Sequence, residues 1–278
     1  MKVAVTGASG FIGRHVLNVL LAKKLEVYAI TRDANKLVNL DKSINVIELD
    51  IGDCNANVFE NLGSPEIFIH LAWNGLPNYK SLHHFETELP KQYMFLKHLI
   101  DGGLGSLFVA GTCFEYGMQS GALSADLETR PNNPYGYAKD ALRKQLEFLK
   151  VVKPFNLTWA RLFYMYGEDQ PSTSLYPKLQ EAFKRGDKVF NMSGGEQLRD
   201  YLPVGEVARQ IVNLALAQRD QGPVNICSGK PISVRVQVEN WMHINNWNIE
   251  LNLGYYPYPD YEPMAFWGDR PSLDAIQG

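Results

Sequence analysis

The sequence predicts an α/β fold in which a doubly wound parallel sheet is covered by helices on both faces. Two observations support it. Short strand patterns alternate with helical patterns along most of the chain, which is typical of a parallel sheet. A glycine-rich turn joins the first strand to the first helix, as at the ligand-binding edge of such sheets. With 278 residues, 45% of them apolar, the chain can bury a full core.

The individual elements follow from apolar patterning. Strands are predicted at residues 2–6, 26–31, 45–49, 66–71, 106–110 and 157–161. Helices are predicted near residues 12–24, 34–40, 55–61, 86–101, 134–152 and 176–185. From about residue 165 the segments become shorter and glycines mark frequent turns, which indicates a different kind of structure in this part of the chain.

The glycine-rich turn lies directly after the first predicted strand. Residues 6–13 have the sequence Thr-Gly-Ala-Ser-Gly-Phe-Ile-Gly. Glycines at this spacing let a strand turn sharply into a helix whose N-terminal N–H groups favour a pyrophosphate. A tight turn without a ligand is the alternative. We predict a Rossmann-type dinucleotide site, and its loop residues are Gly7, Ser9, Gly10, Phe11, Ile12 and Gly13.

The end of the second predicted strand, where an adenosine ribose would lie, carries Arg32. An acidic residue at this place accepts hydrogen bonds from the ribose hydroxyls of NAD, whereas a basic residue suits the 2′-phosphate of NADP. The permanently charged guanidinium of Arg32 favours NADP(H). Asp33 keeps NAD(H) open, because a shift of one residue would present an acid instead. An exposed Arg on a surface turn is the other interpretation.

Two acidic residues follow the third predicted strand. Asp50 and Asp53 flank the pair Ile51-Gly52, and a carboxylate here would lie near the adenine amino group. We therefore assign Asp50 and Ile51 to the cofactor site. Asp53 is equally suited to cap a helix that begins near Asn55.

A tyrosine and a lysine are one helical turn apart in the segment Tyr-Gly-Tyr-Ala-Lys. A helix that begins near Pro134 places Tyr135 and Lys139 on one face. A free phenol has a pKa of about 10, and a neighbouring ammonium favours the phenolate. Surface packing explains such a pair when it stands alone. Together with the glycine loop, it indicates an acid/base catalyst.

Composition excludes several classes of function. The net charge is −3 with no basic block, which argues against nucleic acid as a partner. The sequence contains no apolar run long enough to span a membrane, and its N-terminus does not resemble a signal peptide. The three cysteines are far apart, so we expect a cytoplasmic protein with no disulfide and no metal site.

The glycine loop and the Tyr/Lys pair, with their separation, resemble those of the extended short-chain dehydrogenase/reductases that act on nucleotide sugars. Further similar segments lie at residues 70–73 (His-Leu-Ala-Trp), 112–117 (Thr-Cys-Phe-Glu-Tyr-Gly), 161–167 (Arg-Leu-Phe-Tyr-Met-Tyr-Gly), 199–204 (Arg-Asp-Tyr-Leu-Pro-Val) and 225–229 (Asn-Ile-Cys-Ser-Gly). The resemblance covers nearly the whole chain, and it is more specific for the family than for the substrate.

The resemblance implies roles for particular residues. Thr112 would bond the reacting sugar oxygen, Tyr135 would transfer its proton, and Lys139 would bind the nicotinamide ribose and lower the pKa of Tyr135. Arg199 would pair with the substrate diphosphate. The cofactor would also contact Leu71, Ala72 and Trp73. The substrate site would consist of Trp73, Thr112, Phe114, Tyr164 and Arg199. Tyr164 stands where the family usually has Asn.

One departure argues against a 4,6-dehydratase. Dehydratases of this family have Asp and Glu directly after the catalytic Thr, and here these positions are Cys113 and Phe114. Glu115 comes one residue too late, where its side chain would point to the other strand face. The sequence therefore favours a ketone reductase that uses NADPH.

Our leading hypothesis is C4 reduction of a nucleoside-diphosphate 4-keto-6-deoxyhexose for surface polysaccharide. A nucleotide-sugar 4-epimerase with the same residues is the alternative, and a non-catalytic NADP-binding sensor is the third.

The same sequence patterns predict the domain boundaries. Residues 1–164 are expected to form the NADP-binding Rossmann domain with the catalytic Tyr/Lys helix. Residues 165–278 are expected to form mostly a small C-terminal substrate-binding lobe, with segments that return to the sheet. The run at 255–271 is rich in proline and aromatic residues and suits an ordered lobe over a cleft.

By analogy with the family, the helices near 86–101 and 134–152 would pair in a homodimer.

Overall fold

The computed structural model describes residues 1–38 and 41–269. Its strands are β1 Lys2–Thr6, β2 Glu26–Thr31, β3 Ile44–Glu48, β4 Ile67–His70, β5 Ser106–Thr112, β6 Gly121–Leu123, β7 Asn156–Leu162, β8 Tyr164–Tyr166, β9 Val189–Asn191, β10 Leu198–Pro203, β11 Gly222–Ile226, β12 Pro231–Ser233, β13 Glu250–Asn252 and β14 Phe266–Gly268. Its α-helices are α1 Phe11–Ala22, α2 Val58–Asn61, α3 Leu89–Asp101, α4 Pro134–Val152, α5 Leu175–Arg185, α6 Val204–Leu216 and α7 Val234–Asn245.

The central sheet is parallel and has the strand order β11-β7-β5-β4-β1-β2-β3. Successive residues of β1 point to opposite faces. Val3 and Val5 pack in a cluster with residues of α1 and α6, whereas Ala4 packs with residues of α3 and α4. Helices therefore cover both faces, and the predicted doubly wound Rossmann-type fold is confirmed.

The strand order reverses at β1, which lies between β2 and β4. The connections on the two sides of this point run in opposite directions, so the loops after β1 and β4 separate. Open α/β sheets bind their ligands in the crevice that this separation leaves at the carboxyl ends of the strands.

The C-terminal part of the chain builds a second, smaller core. The short sheet β12-β10-β8 and the pair β13-β9 lie beside α5 and α7. Side chains from these elements form a separate apolar cluster that includes Leu179, Phe190 and Trp241. Two segments return to the central sheet, because α6 packs against α1 and β11 pairs with β7.

Two helices in this part, α6 and α7, were not predicted from the sequence. Val204–Leu216 follows β10 without an intervening turn, so no loop signal marks where α6 begins. For α7, the side chain of Ser233 accepts a hydrogen bond from the backbone N–H of Val236 and caps the first turn. The helix α6 has 13 residues and α7 has 12, in a region where we expected shorter segments.

Several predicted helix boundaries were wrong. The segment predicted at 34–40 is a single 3-10 turn at Ala34–Leu37, and residues 39–40 lie outside the described ranges. The helix predicted at 55–61 begins only at Val58, because the side chain of Asn55 bonds the backbone N–H of Asn57 in a preceding turn. The helix predicted at 86–101 has a π-helical turn, His84–Glu88, before α3 begins.

The aromatic C-terminal run is described over residues 255–269, and one strand within it pairs with an earlier strand. Phe266–Gly268 forms a strand beside Gly121–Leu123. Residues 270–271, the last of the predicted ordered run, lie outside the described ranges.

A buried histidine joins β1, β4 and α3 beneath the crevice. The hydroxyl of Thr6 donates to Nδ1 of His70, over 2.8 Å, and Nε2 of His70 donates to Oε1 of Gln92, over 2.6 Å. His70 is fully buried. Burial, together with the charge of Lys139, lowers the pKa of His70 to about 3, so the ring is neutral at every ordinary pH.

We expect His70 to cause part of the loss of stability in acid. Between pH 6.5 and pH 3 the unfolded chain protonates this histidine and the folded chain does not. The free energy of unfolding therefore falls as the pH falls, by up to about 1.4 kcal/mol per pH unit from this group alone. In the variant His70→Gln this contribution is absent. Urea unfolding of both proteins between pH 7 and pH 4.5 measures the two slopes, and parallel slopes would contradict the prediction.

Candidate functional site

A groove at the carboxyl ends of β1, β2, β3 and β4, here called the N-terminal groove, has a volume of about 330 Å³. It occupies the point where the strand order reverses. The predicted cofactor residues that line it are Gly7, Ser9, Gly10, Arg32, Asp50, Ile51, Leu71, Ala72 and Trp73. Gly13 is buried behind the loop, and Phe11 and Ile12 face the neighbouring cleft instead.

The glycine loop lies unusually close to the end of β4. Gly7 has a φ of +68°, and a Cβ at this position would meet the backbone nitrogen of Ala72 at 2.9 Å. A Cβ on Gly13 would meet the carbonyl oxygen of Gly7 at 2.1 Å. The loop is also tied to β2, because the hydroxyls of Ser9 and Thr31 are 2.9 Å apart. The result is a backbone cradle at the start of α1, which fits the pyrophosphate of a dinucleotide.

The end of β2 presents positive charge to the groove. Arg32 and Lys36 both line it. Asp33 lies outside the lining, because its carboxylate caps the next turn and accepts from the backbone N–H of Asn35 over 3.0 Å. Asp50 likewise accepts from the N–H of Gly52, although it still lines the groove. Asp53 is an exposed residue of that short turn.

A second cavity, the central cleft, lies beside the groove and has a volume of about 760 Å³. Its walls come from the end of β5, the start of α4, β8 and the C-terminal segments. The predicted residues that line it are Phe11, Ile12, Thr112, Phe114, Tyr135 and Tyr164. Trp73, predicted for the cofactor and the substrate, lines only the N-terminal groove.

Two of the predicted catalytic residues, Thr112 and Tyr135, line the central cleft, and the third, Lys139, is buried and lines neither cavity. Thr112 ends β5, and its hydroxyl lies near the hydroxyl of Tyr135. Asn133 starts α4 by accepting from the backbone N–H of Gly136, over 2.9 Å, which fixes Tyr135 in the first turn. One turn later, Nζ of Lys139 donates to the carbonyl of Ala110 over 2.9 Å.

The electrostatics of this group differ from our expectation. We predicted that Lys139 lowers the pKa of Tyr135, but burial among uncharged aromatic rings raises the pKa of this phenol, and Tyr79 and Glu115 add to the effect. Burial also lowers the pKa of Lys139, to about 7, against the opposing charges of Glu115 and Glu88. Tyr135 is thus held as a protonated phenol, which can serve as a proton donor.

Two residues that the sequence analysis did not select complete the surroundings of Tyr135. The ring of Tyr79 lies 5.6 Å from that of Tyr135, and the ring of His84 lies 5.2 Å from it. Nδ1 of His84 accepts from the indole N–H of Trp73 over 3.1 Å. The face of this indole lies 4.0 Å from Nζ of Lys139 and covers the ammonium. His84 belongs to the π-helical turn, which no sequence pattern indicated.

Glu115 lies behind the site and not in the cleft, as the strand geometry suggested. It is fully buried and accepts from Nε of Arg161 over 2.7 Å and from the indole N–H of Trp159 over 2.9 Å. It also accepts from the backbone N–H of Thr112 over 2.8 Å. This carboxylate therefore anchors the catalytic threonine to β7.

Arg199 has a different environment from the one the resemblance implied. Its Nε and Nη2 donate to Oε2 of Glu262, over 3.2 and 2.8 Å, and its Nη1 donates to the carbonyls of Leu198 and Met264. Arg199 is 2% exposed and does not line the central cleft, whereas Glu262 does. The guanidinium is thus neutralised by a residue 63 positions later in the chain.

The described ranges hold neither a cluster of metal ligands nor a membrane-spanning helix. Residues 1–38 and 41–269 contain no group of three or more His, Cys, Asp or Glu side chains placed to hold a metal ion. No helix within the same residues is long and apolar enough to cross a membrane.

Comparison with known proteins agrees with this geometry. The model of the NAD dependent epimerase/dehydratase family matches residues 3–227. A dTDP-6-deoxy-L-talose 4-dehydrogenase (NAD(+)) from Aggregatibacter actinomycetemcomitans is 33% identical over 97% of this chain and 100% of its own length. A GDP-6-deoxy-D-talose 4-dehydrogenase from the same organism is 27% identical over 84% of this chain and 76% of its own length. The structure of MoeE5 in complex with UDP-glucuronic acid and NAD is 25% identical, with a TM-score of 0.81 over 99% of this chain and 92% of that one. These matches confirm the family resemblance.

We expect Glu115→Gln to destabilise the fold strongly. The amide leaves the buried guanidinium of Arg161 without its counter-ion, which costs about 3–5 kcal/mol of the free energy of unfolding. The control is Glu239→Gln, which breaks the exposed pair with Arg235 and should cost no more than about 0.5 kcal/mol. Urea unfolding at pH 7 measures both values, and equal losses in the two variants would contradict the prediction.

Proposed function

Because the chain belongs to the NAD dependent epimerase/dehydratase family, whose enzymes are extended short-chain dehydrogenase/reductases, we propose that it reduces a sugar ketone. The substrate of this proposal is a nucleoside-diphosphate 4-keto-6-deoxyhexose, reduced at C4 with NADPH for surface polysaccharide. The observation that carries it is the position of Thr112 and Tyr135 in the wall of the central cleft, with Lys139 one helical turn away against Trp73 of the neighbouring groove.

The chain supplies the proton and the polarisation that the reaction needs. When bound, the reduced nicotinamide provides the hydride that C4 accepts. As the C=O double bond opens, its electron pair moves to O4, and the phenol of Tyr135 donates its proton there. Thr112 donates a hydrogen bond to the same oxygen and polarises the carbonyl. The ammonium of Lys139, one turn along α4, stabilises the phenolate that remains.

The names of the relatives support C4 as the reacting position. Both are called 4-dehydrogenases of 6-deoxytalose nucleotides. Oxidation of a C4 hydroxyl and reduction of a C4 ketone are one reaction in its two directions, and they use the same acid/base residue. The replacement of two acidic positions by Cys113 and Phe114 disfavours dehydration. Epimerisation at C4 uses the same residues and is the alternative that the assay below separates.

For the cofactor, we propose NADP(H) rather than NAD(H). Arg32 and Lys36 line the groove at the end of β2, and the carboxylate of Asp33 is engaged in capping. Two cations favour a 2′-phosphate over the free hydroxyls of an NAD ribose. The name of one relative contains NAD(+), and the titration of Arg32→Ala below distinguishes the two cofactors.

The remaining assignments concern the surroundings of the site. We assign substrate binding to the segments after residue 165, since β8 and residues 170–176 wall the central cleft. We also propose a homodimer through α3 and α4, in the cytoplasm. The last turns of α4 expose Phe148, Val151 and Val152 at 76%, 81% and 77%, and a contiguous apolar patch of this kind is typical of an interface.

The decisive assay mixes the purified protein with NADPH and a panel of nucleoside-diphosphate 4-keto-6-deoxyhexoses. We expect one NADPH to be oxidised per sugar reduced, seen as loss of nicotinamide absorbance. Isomerisation of a nucleotide sugar without net oxidation would identify an epimerase instead, and binding of NADPH without any reaction would identify a sensor. As a control, Tyr135→Phe removes only the donated proton. It should lower turnover by at least about 100-fold while NADPH still binds.

We expect Arg32→Ala to weaken the binding of NADPH about 10- to 100-fold and that of NADH less than threefold. The lost contact is a charge-assisted hydrogen bond to a phosphate that NADH lacks. The matched control is Arg219→Ala, an exposed arginine outside the groove, which should leave both affinities unchanged. Fluorescence titration of the three proteins gives the dissociation constants. Equal losses for the two cofactors would show that Arg32 does not bind the 2′-phosphate.

A further inference from the structure

The wall of the N-terminal groove contains a buried carboxylate that the proposed reaction does not use. Glu88 is 3% exposed and ends the π-helical turn before α3. Its Oε2 accepts from the backbone N–H of Asn74 over 3.3 Å and from the side-chain amide of Gln92 over 3.1 Å. Within residues 1–38 and 41–269, its ion-pair partner is the ring of His83, whose Nε2 lies 3.4 Å from Oε1. Because this ring is charged only when it is protonated, Glu88 is not paired with a permanent cation.

Lys139 is the complementary case, a buried cation that forms no ion pair with any described carboxylate. It is 2% exposed, its Nζ donates to the carbonyl of Ala110, and the same atom lies 4.0 Å from the ring of Trp73. Neither of these partners carries a negative charge. Buried charges are costly unless they are compensated, so the charge of Lys139 has to be balanced from a greater distance.

Trp73 and its neighbour in sequence connect the two charges. The indole of Trp73 covers Nζ of Lys139, and the backbone N–H of Asn74 holds the carboxylate of Glu88. The π-helical turn that carries Glu88 also packs directly on α4. Water is excluded at this depth, so the attraction between the carboxylate and the ammonium is only weakly screened. The charges of Glu115 and Glu88 accordingly oppose the effect of burial, which lowers the pKa of Lys139.

The two carboxylates differ in what else they neutralise. Glu115 accepts from Nε of Arg161 over 2.7 Å, and this permanent cation is buried with it. The charge of Arg161 therefore offsets much of the charge of Glu115. Glu88 has only amide donors and a histidine as partners, so its charge remains available to Lys139.

The remaining titratable groups that face these two residues are neutral, paired or exposed. They are His70 of β4, His84 of the π-helical turn, Tyr135 and Asp140 of α4, and Lys91 of α3. The two histidine rings are neutral at pH 7, because burial lowers both of their pKa values. Tyr135 is a protonated phenol, and Asp140 is paired with Arg143 over 2.7 Å. The ammonium of Lys91 is exposed to solvent, which screens it.

We propose that Glu88 supplies the counter-charge of Lys139 and is a positioning residue that keeps this side chain an ammonium. The catalytic consequence rests on the proposed function, in which the ammonium stabilises the phenolate of Tyr135 after proton transfer. A neutral amine does not provide that stabilisation. Since the ammonium exists only below the pKa of Lys139, removing the charge of Glu88 should restrict activity from the alkaline side.

The direct test is an NMR titration of the full chain with isotope-labelled lysine, without cofactor or sugar. The Cε signal of Lys139 is identified by its absence in Lys139→Arg. Glu88→Gln keeps the size of the side chain and an oxygen that accepts from the same two N–H groups, but it removes the charge. We expect it to lower the pKa of Lys139 by about 0.5 pH unit or more, because an opposite charge nearby favours the ionised form. The matched control is Glu86→Gln, an exposed carboxylate outside the groove, which should change this pKa by less than about 0.2 pH unit.

The proposed reaction gives a second readout. In Glu88→Gln the alkaline limb of the pH profile of kcat/KM should move to lower pH by the same amount. That shift corresponds to a rate about threefold below the wild type at pH 8.5 and an unchanged rate at pH 6, where Lys139 is charged in both proteins. A residue with only a structural role would lower the rate at both pH values.

A change at His83 tests the same charge without altering Glu88. His83→Lys places a permanent cation beside the carboxylate, so it should also lower the pKa of Lys139. An unchanged titration of Lys139 in Glu88→Gln overturns the proposal, and so does an equal change in Glu86→Gln. Where Glu88→Gln fails to fold by circular dichroism, His83→Lys decides in the same way. The titration contains no sugar, so a wild type that reduces no ketone would refute the proposed function and leave Glu88 as the counter-charge of Lys139.

Discussion

The buried carboxylate of Glu115 is the interaction on which the catalytic arrangement depends. It bonds the backbone of Thr112 and the side chains of Trp159 and Arg161, so the ends of β5 and β7 are held at fixed positions. The turn that follows Thr112 packs directly on α4, and a Cβ on Gly136 would lie 2.5 Å from the carbonyl oxygen of Phe114. Only this close approach lets a tyrosine in the first turn of α4 reach the threonine hydroxyl.

The dense packing around Tyr135 also determines the protonation states of the site. Aromatic rings surround Tyr135, and burial favours its neutral phenol and opposes the charge of Lys139. A free ammonium at this depth would be unfavourable, and the face of Trp73 partly replaces the lost water through a cation–π contact. His84 fixes that indole by accepting its N–H, which a protonated ring could not do. Burial lowers the pKa of His84, so this arrangement persists at neutral pH.

The sequence predicted the features that involve residues close together in the chain. It did not predict the contacts between residues that are far apart in the chain. The glycine loop and the Tyr135/Lys139 pair are local patterns, and the structure places both where the spacing indicated. The fold class followed from periodicity along the chain. In contrast, Arg199 and Glu262 are 63 residues apart, and Trp73 bonds His84, which lies in a π-helical turn. Periodicity and spacing carry no information about such contacts. The helix α6 was missed because it follows its strand without a turn.

The distribution of charge suggests how two anionic ligands share adjoining cavities. Arg32 and Lys36 face the N-terminal groove, where a phosphorylated dinucleotide would bring its negative charge. Arg199 does not line the central cleft, and its charge is balanced by Glu262 in the cleft wall. The phosphates of a cofactor would therefore meet two cations in the groove and a balanced charge beside the cleft, which favours one orientation of the dinucleotide over the other.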